Sequence, residues 1–219
     1  MKKAVIWDMD GVLVDTGPYH LRAWMRFWHE LGVPYEPPDF WRTFGQRNDI
    51  LIPAVLNRPI TPAEVAELAQ RKERYFREEI GDNVSAMPGT LDLLDSLAAN
   101  GFRQALATSA PAVNANFLLD RLGIREKFQA VVMGQDVTRG KPNPDIFLFA
   151  ADRLQVEPTR CVVFEDSIAG VTAAKAAGMV CVATLSTSTG EQLAAADLIV
   201  PDLRAVTPAM VDELLRRSL

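Results

Sequence analysis

The sequence predicts an α/β fold, an open parallel sheet with an all-helical insert. Three observations predict it. Short apolar runs without alternation recur at residues 4–7, 104–107, 130–133, 161–164 and 180–183, with a weaker sixth at 198–200. Runs of this kind fit strands buried on both faces of a parallel sheet. Each is followed by a helical pattern, and strands alternating with helices imply right-handed crossovers. The spacing between the first two runs is far longer than one crossover needs.

The elements follow in chain order. The first strand, 4–7, leads into "DMDGVLVDT", which places Asp8, Asp10 and Asp15 behind an apolar run. The long gap after it reads mostly as helix. Leu21, Trp24, Met25, Trp28 and Leu31 form one apolar stripe. A second helix opens at Thr61-Pro62-Ala63-Glu64, a capping box with proline at the first helical position, and its stripe runs Val65, Leu68, Ala69, Lys72, Phe76. Gly17-Pro18 and Pro88-Gly89 bracket this insert with turn-forming residues. The expected division is a discontinuous Rossmann-like core, 1–16 and 88–219, and a helical cap, 17–87. Because the insert leaves and rejoins one sheet, its two connections should lie side by side as a hinge. The cap should then cover the carboxyl ends of the strands, where open α/β sheets bind ligands.

Composition narrows the function. The chain has 219 residues and a net charge of −5, so no general attraction to nucleic acid or anionic membrane is expected. Its two cysteines, Cys161 and Cys181, lack metal-ligand spacing and read as reduced, buried thiols. Lys2 and Lys3 precede an apolar stretch that Asp8 ends too early for a signal peptide. The apolar run 176–185 is too short to span a bilayer. A cytoplasmic protein is expected, as a monomer or weak homodimer.

The strand ends carry the chemistry. Asp8 and Asp10, two apart, would project to one side of an extended chain, and Gly11 permits a sharp turn after them. Carboxylates this close repel, which suits a cation between them or one carboxyl kept protonated; solvated acids at a strand end are the plain alternative. "CVVFEDSIAG" repeats the layout with Glu165 and Asp166, whose hard oxygens suit Mg²⁺. Ser167 or Asp166 could instead cap the following helix, whose Ala169, Gly170, Ala173 and Ala176 allow close packing on the sheet. Thr108 and Ser109 end the second strand with hydroxyls and N–H groups suited to phosphate oxygens. Lys141, braced by Pro142 and Pro144, reads as a fixed counter-charge. "GQDVTRGK" has neither the glycine spacing nor the Ser/Thr of a phosphate-binding P-loop.

These ordered motifs, D-x-D-G, Thr/Ser, the Lys of "GKP" and "ED", resemble the haloacid dehalogenase superfamily over essentially the whole chain. The inserted helices resemble its subgroup of β-phosphoglucomutase and small-molecule phosphatases, and "DTGPYHLRAW" brings Thr16, His20 and Trp24 into correspondence. The resemblance implies a Mg²⁺-dependent phosphatase of a small phosphorylated metabolite, a sugar phosphate first of all. Asp8 would be the nucleophile that forms an aspartyl phosphate, and Asp10 the acid and base. Thr108 and Lys141 would bind the phosphoryl oxygens. Mg²⁺ would be held by Asp8, the Asp10 carbonyl and Asp166, with Glu165 a further candidate. The cap would select the substrate through Arg47, which in "FGQRND" resembles the cap arginine that contacts a second phosphate, with a spacing one shorter than the family's, and through Lys72, whose stem could otherwise snorkel. His20 is either hinge packing or proton-sensitive. Phosphoglucomutase-type transfer is the alternative activity, disfavoured by Ala110 and Pro111, which stand where the mutase pattern has a serine and a basic residue. Asp10 argues against a haloalkanoate dehalogenase, and the cap against a receiver-like phospho-signalling module.

Overall fold

In the computed structural model, residues 2–218 are described. Six strands, β1 (Ala4–Trp7), β2 (Arg103–Ala107), β3 (Ala130–Val132), β4 (Cys161–Glu165), β5 (Val180–Thr184) and β6 (Leu198–Val200), form one sheet. Their order is β3-β2-β1-β4-β5-β6 and every pairing is parallel. β1 is central, and the strand order changes direction on either side of it, which is where such sheets open a crevice at their carboxyl ends. β1, β4 and β5 are buried along their whole length, so continuous apolar runs were their readable signal. β4 runs one residue beyond its apolar run, because Glu165 pairs in register with Ala183. The first of the two adjacent acids is therefore part of the sheet.

The insert holds four helices, α1 (Gly17–Glu30), α2 (Pro37–Thr43), α3 (Asn48–Leu56) and α4 (Pro62–Ile80), where the stripes indicated two. α2 and α3 are short, with prolines at the start of one and inside the other, so neither shows a readable period. α1 buries Ala23, Trp24, Phe27 and Trp28, a face centred beside the expected stripe, with Leu21, Met25 and Leu31 only partly covered. The reason is aromatic packing: the Trp24 and Trp28 rings stack at 5.5 Å and Phe27 meets Trp28 edge-on at 4.7 Å. α4 buries Val65, Lys72 and Phe76 as its stripe implied, together with Glu73, Tyr75 and Ile80. Thr61 accepts from the Glu64 amide at 3.2 Å, but the Glu64 carboxylate goes to Arg58, so half of the capping box forms.

The chain leaves and rejoins the sheet along adjacent paths. Val14 pairs antiparallel with Ala86, and the Met87 amide donates to the Leu13 carbonyl at 2.9 Å. The remaining helices, α5 (Thr90–Ala99), α6 (Ala112–Leu122), α7 (Asp145–Leu154), α8 (Ile168–Ala176) and α9 (Pro208–Arg217), cover the sheet. Two apolar clusters lie against it: Val5, Trp7, Val162 and Phe164 join the one shared with the cap, while Ile6, Val163, Cys181 and α7 form the other. Both cysteines are free and buried, and burial pushes the Cys161 thiol up to about 12. Within α8, Gly170, Ala173 and Ala174 face inward, and Ala176 faces solvent. Among the described residues no helix is long and apolar enough to cross a membrane.

Candidate active site

Asp8 follows β1 directly, and its amide still donates to the Phe164 carbonyl at 3.0 Å, so the sheet fixes its backbone. Its carboxylate accepts from the Lys141 ammonium, which also reaches Glu165 Oε1 at 2.5 Å. All three side chains are buried. Carboxylate oxygens of Asp8, Glu165 and Asp166 lie within 4.8 Å of one another. Burial pushes the Asp8 carboxyl up to about 8, Lys141 pulls it back, and Glu165 and Asp10 raise it further. Burial, then Glu165 and Asp8, likewise push Asp166 well above the usual carboxylate range. Three buried acids thus face one ammonium. An all-oxygen donor set short of positive charge fits a hard divalent ion such as Mg²⁺.

The two adjacent acids have different surroundings. Glu165 Oε2 accepts from the amides of Asp166 and Ser167 at 2.8 and 2.9 Å and from Ser167 Oγ at 3.0 Å. Glu165 therefore holds both Lys141 and the start of α8, which Ser167 caps through the Gly170 amide. Asp166 is held through Oδ2 by Thr187 Oγ1 at 2.6 Å and Ser186 Oγ at 3.4 Å. Two glycines make room for these acids. Gly11 has φ +79°, and a Cβ there would stand 2.0 Å from Asp166 Oδ2; one on Gly170 would stand 1.7 Å from Glu165 Oε1. Gly170→Ala is accordingly expected to destabilise the protein by about 1–3 kcal/mol through overpacking. Thermal unfolding checks this, and an unchanged melting temperature would count against it.

On the cap side, alternation does not carry Asp10 to the Asp8 pocket, since the strand ends at Trp7. Asp10 Oδ1 instead accepts from Thr16 Oγ1 at 2.6 Å and lies 3.5 Å from His20 Nε2. Lys72 Nζ is 2.8 Å from His20 Nδ1. An ammonium only donates, so Nδ1 accepts and the ring proton sits on Nε2, facing Asp10. Burial and then Lys72 hold the His20 pKa below its ordinary value. Burial alone would raise the Asp10 carboxyl, but hydrogen bonding from His20, with Thr16, brings it below the usual range. The His20 ring stacks on Phe76 at 3.8 Å. His20 is thus both packed and hydrogen-bonded to an acid.

Thr108 is buried at the end of β2, and its Oγ1 accepts from the Ala110 amide at 3.0 Å. Ser109 Oγ is buried without a protein partner. Trp24 lies beneath Lys72, whose Nζ is 4.8 Å from the ring centre. Arg47 donates through one nitrogen to the core carbonyls of Gly134 and Val137, at 2.9 and 3.0 Å, and through the others to Asp49. Asp10, His20, Trp24, Arg47, Lys72 and Ser109 share the walls of one cleft between cap and core, whose volume is about 70 Å³.

A family model for haloacid dehalogenase-like hydrolases matches residues 2–178. The chain belongs to that family. Among its relatives is a β-phosphoglucomutase of Bacillus subtilis (strain 168), 34% identical over 218 residues, 96% of this chain and 94% of the relative. A phosphorylated carbohydrates phosphatase of Thermotoga maritima is 37% identical over 181 residues, 81% of this chain and 82% of the relative. The fructose-1-phosphate phosphatase YqaB of Escherichia coli (strain K12) is 36% identical, covering 80% of this chain and 92% of the relative. The crystal structure of β-phosphoglucomutase from Clostridium difficile superposes with a TM-score of 0.89 at 28% identity, covering 99% of this chain and 98% of that one. The fold and the family resemblance read from the strand-end motifs both hold.

Within this haloacid dehalogenase-like hydrolase, four site residues had no sequence signal strong enough to find them. Thr187 and Ser186 follow β5, a strand without a motif. Glu73 lies beside Lys72, and neighbours in a helix do not normally share a face, yet both are buried. Asn114 sits in α6 and reaches Glu73 across the cap–core seam.

Proposed function

We propose that this hydrolase is a Mg²⁺-dependent phosphatase of small phosphorylated metabolites, sugar phosphates first of all, working through phosphorylation of Asp8. The observation that carries this reading is the buried Asp8 carboxylate, braced by Lys141 and grouped with Glu165 and Asp166 at the mouth of β1. A carboxylate approaches a phosphate dianion only if positive charge offsets their repulsion. Asp8 Oδ attacks phosphorus as the ester P–O bond breaks. As the departing oxygen replaces Thr16 and His20 as its partner, Asp10 takes up a proton from solvent and gives it to that oxygen; it then takes a proton from the water that attacks the phosphorus and frees Asp8. Lys141 and Thr108 hold the phosphoryl oxygens, and Ser109 Oγ, unpartnered in the cleft, gains a partner there. Asp8, Asp166 and the Asp10 carbonyl would hold Mg²⁺ beside Glu165, and the bound ion supplies charge neutralisation to the phosphoryl group.

Mutase activity is the second reading, favoured by the Bacillus subtilis relative. A mutase needs a strong site for the phosphate that is not reacting. Here the cleft wall beside Ser109 is Ala110 and Pro111, which offer no side-chain donor. Loss of a charged hydrogen bond costs about 1.5–3 kcal/mol, roughly ten- to a hundredfold in affinity. The test supplies β-glucose 1-phosphate, a trace of the 1,6-bisphosphate and Mg²⁺. Free phosphate should form faster than glucose 6-phosphate; the reverse order would select the mutase.

A further inference from the structure

We infer that Glu73, seconded by Asp49, sets substrate specificity by cancelling the positive charge of the cap, so that the distal end of the cleft takes a hydroxyl-bearing, uncharged group and rejects a second phosphate. This rests on the phosphatase reading and deepens it to monophosphates of polyhydroxy compounds.

Glu73 is buried in the cleft wall, 5% exposed. Its Oε1 accepts from Asn48 Nδ2 at 2.6 Å and from Lys72 Nζ at 3.0 Å, and its Oε2 accepts from Asn114 Nδ2 at 2.5 Å. Asn114 cannot turn away, because its Oδ1 already accepts from Arg77 at 2.7 Å. Burial works against the Glu73 charge, but Lys72, His20 and Asn48 hold its carboxyl below the usual range. The carboxylate is thus ionised and directly opposes the Lys72 ammonium. Arg47 is matched in the same way: Nε and Nη2 bond both Asp49 oxygens at 3.0 and 2.8 Å, and Nη1 is spent on core carbonyls. Each cap cation at the cleft therefore has its own carboxylate. The facing core wall, Ala110 and Pro111, adds no charge. A second phosphate entering here meets an ionised glutamate in a poorly solvated pocket, where like charges repel strongly. Sugar hydroxyls meet an acceptor-rich carboxylate framed by two amides, and a site built to hydrogen-bond hydroxyls discriminates by charge as well as by fit.

The test measures binding, in an Asp8→Asn background that stops turnover. Glucose 6-phosphate and glucose 1,6-bisphosphate are each titrated calorimetrically with Mg²⁺ present. The bisphosphate should bind no tighter than the monophosphate. Adding Glu73→Gln should raise bisphosphate affinity about tenfold or more, with the monophosphate changing less than about threefold. Glu73→Asp, which disturbs packing but keeps the charge, should still bind the bisphosphate weakly. Asp49→Asn, at a half-exposed carboxylate, should give a smaller gain in the same direction, and it carries the test if Glu73→Gln does not fold. A bisphosphate already preferred about tenfold with Glu73 intact, or no gain on either neutralisation, overturns the inference. Failure of the phosphatase reading looks different. Wild-type protein would then release no phosphate from glucose 6-phosphate or a small aryl phosphate with Mg²⁺, while the affinities would still decide the charge of the pocket.

Discussion

Asp8→Asn is expected to abolish turnover, by about three orders of magnitude or more, while the protein keeps its fold. Asparagine has the shape of aspartate but cannot attack phosphorus to form an acyl phosphate. Its effect on stability should be small or favourable. Asp8 is crowded by Glu165 and Asp166, and burial already pushes its carboxyl up to about 8. Removing one of three neighbouring charges relieves repulsion, although Lys141 loses half of its ion pairing. Phosphate release and thermal melting, measured on the same sample, separate the two effects. Near-normal turnover in this variant would sink the proposed chemistry.

Asp166→Ala should raise the Mg²⁺ concentration needed for half-maximal activity by about a hundredfold or more, since supporting residues alone are commonly worth 10- to 100-fold. A second readout does not depend on turnover. Mg²⁺ should raise the melting temperature of the wild type, because a ligand that binds only the folded state stabilises it, and this gain should vanish in Asp166→Ala. Glu165 provides the contrast: it is tied to Lys141 and to two amides at the start of α8, so its removal should cost stability before metal affinity. Superimposable Mg²⁺ titrations for wild type and Asp166→Ala would remove Asp166 from the ion's surroundings.

Strands buried on both faces were legible because burial leaves a continuous apolar run, and the first and last of the six have the bounds their runs mark. The acids at their ends stood out because charge there needs a cause. The cap was less legible. α2 and α3 are too short to show a period, one opening on prolines and the other containing one, and α1 turns inward by the packing of its aromatic rings rather than by its mean stripe. Side-chain partners across the seam had no local signal at all. Arg47 could be read as a free cation in "FGQRND", but its neighbour Asp49 and two distant carbonyls occupy it. Nothing in the sequence marks Glu73, and only the fold brings Asn114 of α6 against it.

The bonds that tie cap to core also bear on how apparent affinity arises. A sugar phosphate that enters with the cap lifted binds only the molecules in that open state. Lifting it breaks the Arg47 bonds to Gly134 and Val137 and the Glu73 bond to Asn114. The intrinsic dissociation constant is divided by the fraction of molecules in that open state, so each tenfold loss of open population weakens the observed binding tenfold. Substitutions that loosen the seam without touching the strand-end acids would therefore act as affinity mutations, tightening apparent binding through the unliganded protein alone.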